Sequence, residues 1–303
     1  MSRREDLPTE RTLEASRELD TLGVAQGFDV FDAEDRRLAD AVHAAKPEIV
    51  KAIELAVEQL GGGGRLIYVG AGTSGRLGVL DAVECPPTFR TEPSMVQGRL
   101  AGGESALTRS VEGAEDSFEE GGDAVADVGT QDLVFGIAAG GTTPFVHGAL
   151  ARARELGAAT VFLACVPRAD APDEADVSIR LDTGPEVLAG STRLKAATAT
   201  KMVLNRVTTL AFARLGKVYD NLMVDVEARG NRKLLERAVG LVRRLTDVSS
   251  EEAHALLERA DGSVKVACVM QAQGVEREEA LRRLAEAGGH LREALARGPS
   301  DRG

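Results

Sequence analysis

Short apolar runs that stop abruptly in small residues set the strongest limit on how this chain can fold. "RLIYV" (65–69) runs straight into Gly70-Ala71-Gly72-Thr73-Ser74-Gly75, and "DLVFGIAA" (132–139) into Gly140-Gly141-Thr142-Thr143. Each run reads as a strand, each small-residue stretch as a loop, and the residues after each loop as a helix start. Further strands are expected at 94–100, 159–165 and 176–181, with helices at 75–84, 104–110, 114–122, 145–156 and 192–215. Strands alternating with helices imply an α/β domain, a parallel sheet covered on both faces. In such sheets ligands lie beyond the C-terminal strand ends, where both loops fall. Backbone N–H groups at a helix start favour an anion, and the hydroxyls of Thr73, Ser74, Thr142 and Thr143 add neutral donors. Two loops of this kind point to a small, phosphorylated, hydroxyl-rich ligand.

The flanks read as helical. Residues 34–60 carry Leu38, Val42, Ile49, Ile53, Val57 and Leu60 at near-helical spacing, which predicts one long amphipathic helix ended by "GGGG" at 61–64. From about 231 onward three short helices are expected at 249–260, 263–274 and 277–295, capped by Ser249 or Ser250 and by Ser263. The domain reading is therefore an N-terminal helical segment at 1–60, a ligand-binding domain at 61–230 and a small three-helix domain at 231–298. That last domain reads as a stabilising or dimer-forming appendage. The terminal "GPSDRG" (298–303) reads as disordered.

Composition narrows the function classes. A formal net charge of −11 and the absence of Trp argue against a nucleic-acid surface. No apolar stretch reaches the roughly 18–20 residues a membrane span needs, and the charged N-terminus lacks the apolar core of a secretory signal. Cys85, Cys165 and Cys268 are odd in number and far apart, as are His43, His147, His254 and His290. That spacing offers neither a disulfide framework nor a zinc site, and it fits a reducing, cytoplasmic setting.

Several residues carry candidate chemistry. Gly70, Gly72 and Gly75 match the dinucleotide pattern G-x-G-x-x-G, but no acid ends the next strand, and the Thr73-Ser74 pair suits a phosphate monoester better. Arg76 comes directly after, where the helix dipole does not favour a cation; a ligand anion or a structural ion pair would account for it. "DAVECPPTF" (81–89) puts Glu84 at the end of the expected helix, ahead of Pro86 and Pro87. A carboxylate there is electrostatically disfavoured, which suits a general acid; read alone, it is first a surface glutamate. "SVEGAEDSFEE" (110–120) holds Glu112, Glu115, Asp116, Glu119 and Glu120, an acidic helix start from which one carboxylate could face the site as a base. "GSTRLKAATATK" (190–201) repeats the small-residue entry to a helix: Ser191 and Thr192 can cap it or donate to phosphate, and Lys195 adds charge. His147 reads as structural.

Taken together, "YVGAGTSGRLGVLDAVECPPTF" (68–89), "VQGRLAGGESALTRSVEGAEDS" (96–117), "GSTRLKAATATKMVLN" (190–205) and "GKVYDNLMVDV" (216–226) resemble the SIS family of sugar-phosphate-binding domains. Within it they are most similar to the N-acetylmuramic acid 6-phosphate etherases, relatives of the mammalian glucokinase regulatory protein. The resemblance implies a flavodoxin-like, doubly wound, five-stranded parallel sheet, a small C-terminal helical domain and a homodimer acting on a small-molecule sugar phosphate. It implies cleavage of a lactyl ether with no metal or cofactor. Carried over by position, the acid/base pair falls on Glu84 and Glu115, and the substrate loops on Thr73, Ser74, Gly75 and Arg76, on Gly141, Thr142 and Thr143, and on Ser191, Thr192 and Lys195. The chain departs from the family's A-S-G-R-T-P loop with Ala139-Gly140-Gly141-Thr142-Thr143-Pro144, which lacks a serine and an arginine. A non-catalytic sugar-phosphate sensor and a sugar-phosphate isomerase are the competing readings.

Overall fold

The computed structural model describes residues 4–296. The chain packs as two compact units, one made of the residues up to Val83 with Ser94–Thr208, the other of Glu84–Pro93 with the residues from Thr209 onward.

The first unit opens with single turns of 3-10 helix at Arg4–Asp6, Pro8–Glu10 and Glu14–Ser16, followed by α1 (Val24–Asp35), α2 (Leu38–Ala44) and α3 (Lys46–Gly61). The long helix expected at 34–60 is thus broken. It breaks twice, at Arg36-Arg37 and at Ala45; at the second break Pro47, which lacks the N–H that would bond to the His43 carbonyl, sits in the first turn of a new helix. The apolar spacing survives both breaks. Leu38 and Val42 are buried on α2; Ile49, Ala52, Ile53, Ala56 and Leu60 form one buried stripe on α3.

The α/β core follows as β1 (Leu66–Gly70), α4 (Gly72–Phe89), β2 (Val96–Leu100), α5 (Ser105–Thr108), α6 (Phe118–Asp123), β3 (Leu133–Ile137), α7 (Pro144–Glu155), β4 (Ala159–Ala164), β5 (Val177–Arg180) and α8 (Lys195–Arg214). All strand pairings are parallel, in the order β2-β1-β3-β4-β5, the flavodoxin-like doubly wound arrangement. β1 is flanked on both sides: Leu66 pairs with Val96 on one and with Leu133 on the other. Every residue of β1 and β3 is buried, which is why these strands read as continuous apolar runs rather than alternating ones. On one face Ile67, Val69, Val134 and Phe162 pack against Val146, Ala149, Leu150 and Ala153 of α7. The order reverses between β1 and β3, and the crevice above that switch point is where the two small-residue stretches emerge.

Three differences from the sequence expectation bear on the site. α4 begins at Gly72 and runs through Pro86 and Pro87 to Phe89. Glu84 is therefore inside the helix, and the helix-end argument for its chemistry does not hold. The helix stops where Arg90 turns left-handed at φ +50°. The segment 114–122 divides into a 3-10 turn at Ala114–Asp116 and α6, because Gly113 is left-handed and Ser117 caps α6 by accepting from the Glu120 N–H at 3.1 Å. α8 starts at Lys195 rather than 192.

The second unit is helical beyond its loop segments, as the sequence indicates from 231 onward, but among the described residues holds five helices there rather than three: α9 (Arg232–Thr246), α10 (Ser250–Arg259), α11 (Val264–Gln273), α12 (Arg277–Glu286) and α13 (Leu291–Ala296). The apolar face of α9 joins Leu256, Leu257, Val266 and Val269 in a core of its own. Ser249 and Ser263 cap α10 and α11 as expected. The segment expected as one helix over 277–295 splits at Gly288-Gly289, both at positive φ. The "GPSDRG" terminus lies outside the described residues. No helix among the described residues is long and apolar enough to cross a membrane.

Candidate active site

The crevice above β1 and β3 is a cavity of about 310 Å³ lined by both small-residue segments. Gly72, Thr73 and Ser74 come from the first turn of α4, and Gly140, Thr142, Thr143 and Pro144 from the entry to α7. Gly190, Thr192, Glu115 and Asp116 complete the lining, with Leu7, Glu10, Ala71 and Ala139. Three elements thus present their N-terminal ends, or the loops leading into them, to one volume, and the first-turn N–H groups of a helix have no carbonyl partner within it.

Local chain chemistry makes this geometry. Gly75 lets α4 start directly above β1: a Cβ there would lie 2.5 Å from the Gly70 carbonyl oxygen and 2.3 Å from Leu100. Gly141 is left-handed, and His147 Nε2 donates to its carbonyl at 2.8 Å, tying α7 back onto the loop that precedes it. Pro144 occupies the first turn of α7, where its missing N–H costs nothing. Glu186, inaccessible to solvent, accepts from the Lys195 and Ala196 N–H groups, each at 2.9 Å, and so caps α8. Burial pushes the Glu186 carboxyl above its ordinary range, against the pull of those N–H groups and of Lys195.

The sequence-predicted residues separate into groups. Thr73, Ser74, Thr142, Thr143, Thr192 and Glu115 line the cavity. Gly75 and Gly141 are backbone devices at its edge. Ser191 is half-buried, its N–H on the Leu188 carbonyl at 2.9 Å, and neither it nor Thr192 caps α8. Lys195 is buried, and its ammonium is in close contact with the Glu34 carboxylate rather than in this cavity. Burial opposes the Glu34 charge, but Lys195 and Arg37 outweigh it and hold Glu34 below its usual range. Both Lys195 and Glu34 border a separate cavity of about 420 Å³ with Arg37, Asp40 and Asp182. Arg76 does not line the loop cavity, and instead of an ion pair it makes hydrogen bonds to backbone carbonyls. Its Nε donates to Ala106 and Leu107 at 3.0 and 3.1 Å, its Nη2 to Arg109 at 2.9 Å. Glu84 is exposed on α4 and is not among the lining residues.

Sequence reasoning missed Leu7 and Glu10. The Pro8–Glu10 turn brings both to the cavity wall, and Leu7 is buried in the α7 core. No local pattern marks them, because their placement depends on where a distant segment docks. It also missed Glu186, whose partners lie nine and ten residues on.

Among the described residues the cavity lining contains no Lys or Arg. An anion there would be held by N–H dipoles and hydroxyls alone, the consequence of the Gly140-Gly141-Thr142-Thr143 sequence. The carboxylates of Glu10, Glu115 and Asp116 in the same lining suit hydroxyl or N–H donors on the same ligand.

The glucokinase regulatory protein N-terminal SIS domain model matches residues 48–154. The chain is 52% identical over 301 residues to the N-acetylmuramic acid 6-phosphate etherase of Synechocystis sp. (strain ATCC 27184 / PCC 6803 / Kazusa), covering 99% of this chain and 98% of that protein. It is 53% identical over 294 residues to the protein of the same name from Gloeobacter violaceus (strain ATCC 29082 / PCC 7421), covering 96% of each. With the parallel sheet and the hydroxyl-lined crevice at its switch point, this near-full-length identity means that the chain belongs to the N-acetylmuramic acid 6-phosphate etherase family.

Proposed function

We propose that the protein is a carbon–oxygen lyase that removes the D-lactyl ether of N-acetylmuramic acid 6-phosphate, giving N-acetylglucosamine 6-phosphate and D-lactate. The observation that carries this reading is the convergence of two hydroxyl-bearing helix entries and Glu115 on one crevice. Direct hydrolysis would have to break an unactivated ether. In the ring-opened sugar, the C1 aldehyde acidifies the C2 proton, and the C3 ether oxygen lies β to the carbonyl. A base can therefore take the C2 proton as the C3–O bond breaks, and an acid protonates the departing lactate oxygen. Water then adds at C3. Thr73, Ser74, Thr142, Thr143 and Thr192, with the N–H groups around them, anchor the C6 phosphate and place C2 and C3. Glu115, on the wall of the same cavity, is the base. Glu84, which lies outside this cavity, is assigned as the acid that later activates the water on its matching "VECPPTF" stretch alone.

The same reading takes 61–230 as the sugar-phosphate-binding domain, preceded by a helical segment at 1–60 and followed by a helical domain at 231–298. It takes the enzyme as a homodimer working in the cytoplasm. Exposed Val24 and Phe28 on α1 and Leu80 and Val83 on α4 supply apolar surface for a second copy, and buried cysteines that form no disulfide suit a reducing compartment.

The test is lactate release from N-acetylmuramic acid 6-phosphate, measured for wild type, Glu84→Gln and Glu115→Gln. Wild type should release stoichiometric lactate, and each variant should lose roughly 10²–10⁴-fold, the usual contribution of a positioned acid or base. Binding of a hexose phosphate without lactate release would replace the etherase reading with a sensor or an isomerase.

A further inference from the structure

Arg76 is the one cation of the first α4 turn, and its guanidinium is committed to protein. Its Nε and Nη2 reach the carbonyls of Ala106, Leu107 and Arg109. These carbonyls end α5, a helix of one turn, where a cation complements both the unpaired oxygens and the dipole. The clamp closes a loop that is tight elsewhere. Gly102 is left-handed at φ +81°, and a Cβ on it would lie 3.0 Å from the Val111 side chain. Beyond Arg109 the chain runs through the left-handed Gly113 to Glu115. Arg76 and Glu115 then reappear as walls of one cavity of about 220 Å³, which shares Ala71, Gly72 and Glu115 with the loop cavity.

Thr73 and Ser74 stand on the same helical turn as Arg76. The guanidinium therefore ties the turn that holds the phosphate donors to the segment that carries the base. The separation of C6 and C2 is fixed by the sugar, so donors and base must be held at a matching spacing.

From this we propose that Arg76 is a positioning residue for Glu115, not a phosphate ligand. This inference rests on the etherase reading and deepens it. A displacement of the base by about 1 Å can cost on the order of 100-fold in rate while binding is kept. Lysine offers a compact point charge adequate for a phosphate, but it cannot reproduce a planar fork on three carbonyls.

The experiment compares wild type, Arg76→Lys and Arg76→Met in lactate release, with calorimetric binding of N-acetylglucosamine 6-phosphate on the same preparations. Turnover is expressed per binding-competent site from the calorimetric stoichiometry, so a loss of folded protein does not register. Both variants are expected to lose roughly 10–100-fold in kcat per site, with KM and product Kd within about threefold of wild type and no rescue by lysine. A product Kd raised tenfold or more by Arg76→Met and restored by Arg76→Lys would make Arg76 a phosphate ligand and overturn the proposal. Wild-type turnover in both variants would overturn it too. Absence of lactate from wild type would remove the etherase reading itself, and the proposal with it.

Discussion

Gly141 stands at φ +76°, and a Cβ there would lie 2.5 Å from Ala171 Cβ and 2.9 Å from Val166. Backbone strain and crowding both exclude a larger residue. Gly141→Ala should destabilise the protein by about 1–3 kcal/mol in urea unfolding and weaken sugar-phosphate binding, because Thr142 and Thr143 come next in the chain. Unchanged stability would mean that the loop relaxes at little cost. At this scale the hydroxyls are legible in the sequence: Thr73, Ser74, Thr142, Thr143 and Thr192 line one cavity because each sits where a strand or loop enters a helix, a relation written locally in the chain. The long cationic side chains are not. Lys195 meets Glu34, 161 residues away, and Arg76 meets carbonyls some 30 residues on. Their reach lets distant segments decide their partners.

Among the elements, α8 shows how a capping group can come from outside the short-range pattern. Ser191 and Thr192 are the local candidates, yet Glu186 caps the helix with a buried carboxylate, which binds two N–H groups at once. Glu186→Ala should cost about 1–3 kcal/mol, with a smaller loss for Glu186→Gln, which keeps one oxygen acceptor. Thermal unfolding of the two variants measures this, and equal loss in both would show that the second oxygen carries the cap. α4 makes the opposite point about prolines. In the sequence Pro86 and Pro87 read as a helix end, yet α4 carries both, their lost N–H bonds and the crowding of the turn before them coming only at its last turn before Phe89. Strand positions are legible almost to the residue because buried parallel strands need unbroken apolar runs. Of the two breaks in 34–60, the one at Ala45 is legible in principle from Pro47 and the one at Arg36-Arg37 is not, and the apolar spacing runs across both.

Over the first unit, carboxylates with shifted values, from exposed Asp127 to buried Asp132 and Glu186, set the response to acid. Asp132 accepts from the Arg65 N–H, Nε and Nη2 and from the Gly129 N–H, at 2.7–3.1 Å. Burial opposes its charge, but these donors outweigh it and hold it below 3.8. In Asp127 the Arg99 hydrogen bond, with help from Arg65, outweighs burial to the same effect. Burial is likewise outweighed in Asp173, by Ser178 and Arg180, and in Glu34, by Lys195. Groups with depressed folded values contribute stability above their unfolded values of 3.8 and 4.5, and that stability is lost as pH falls through the lower folded values. Asp81 and Glu186, both raised by burial, act in the opposite sense: their contribution is present at low pH and is lost as pH rises through their folded values. With Asp132, Asp173 and Glu34 held low by specific donors, the melting temperature should fall as pH is lowered from about 5 toward 3. Asp132→Asn should lower it at pH 7 and flatten the acid limb; an unchanged acid limb would remove Asp132 from the account.

By itself the sequence determined the α/β class, the strand positions, the helical C-terminal region and the hydroxyl-bearing turns of the crevice. These depend on apolar runs, glycines and caps within a few residues of one another, where steric and hydrogen-bonding rules act along the chain. Only the tertiary structure decided that Leu7 and Glu10 wall the cavity, that Lys195 pairs with Glu34, that Glu186 caps α8 and that Arg76 clamps the end of α5. Each of those joins groups from separate segments, and a buried charge or an unpaired carbonyl takes whatever partner the packing brings within hydrogen-bond reach.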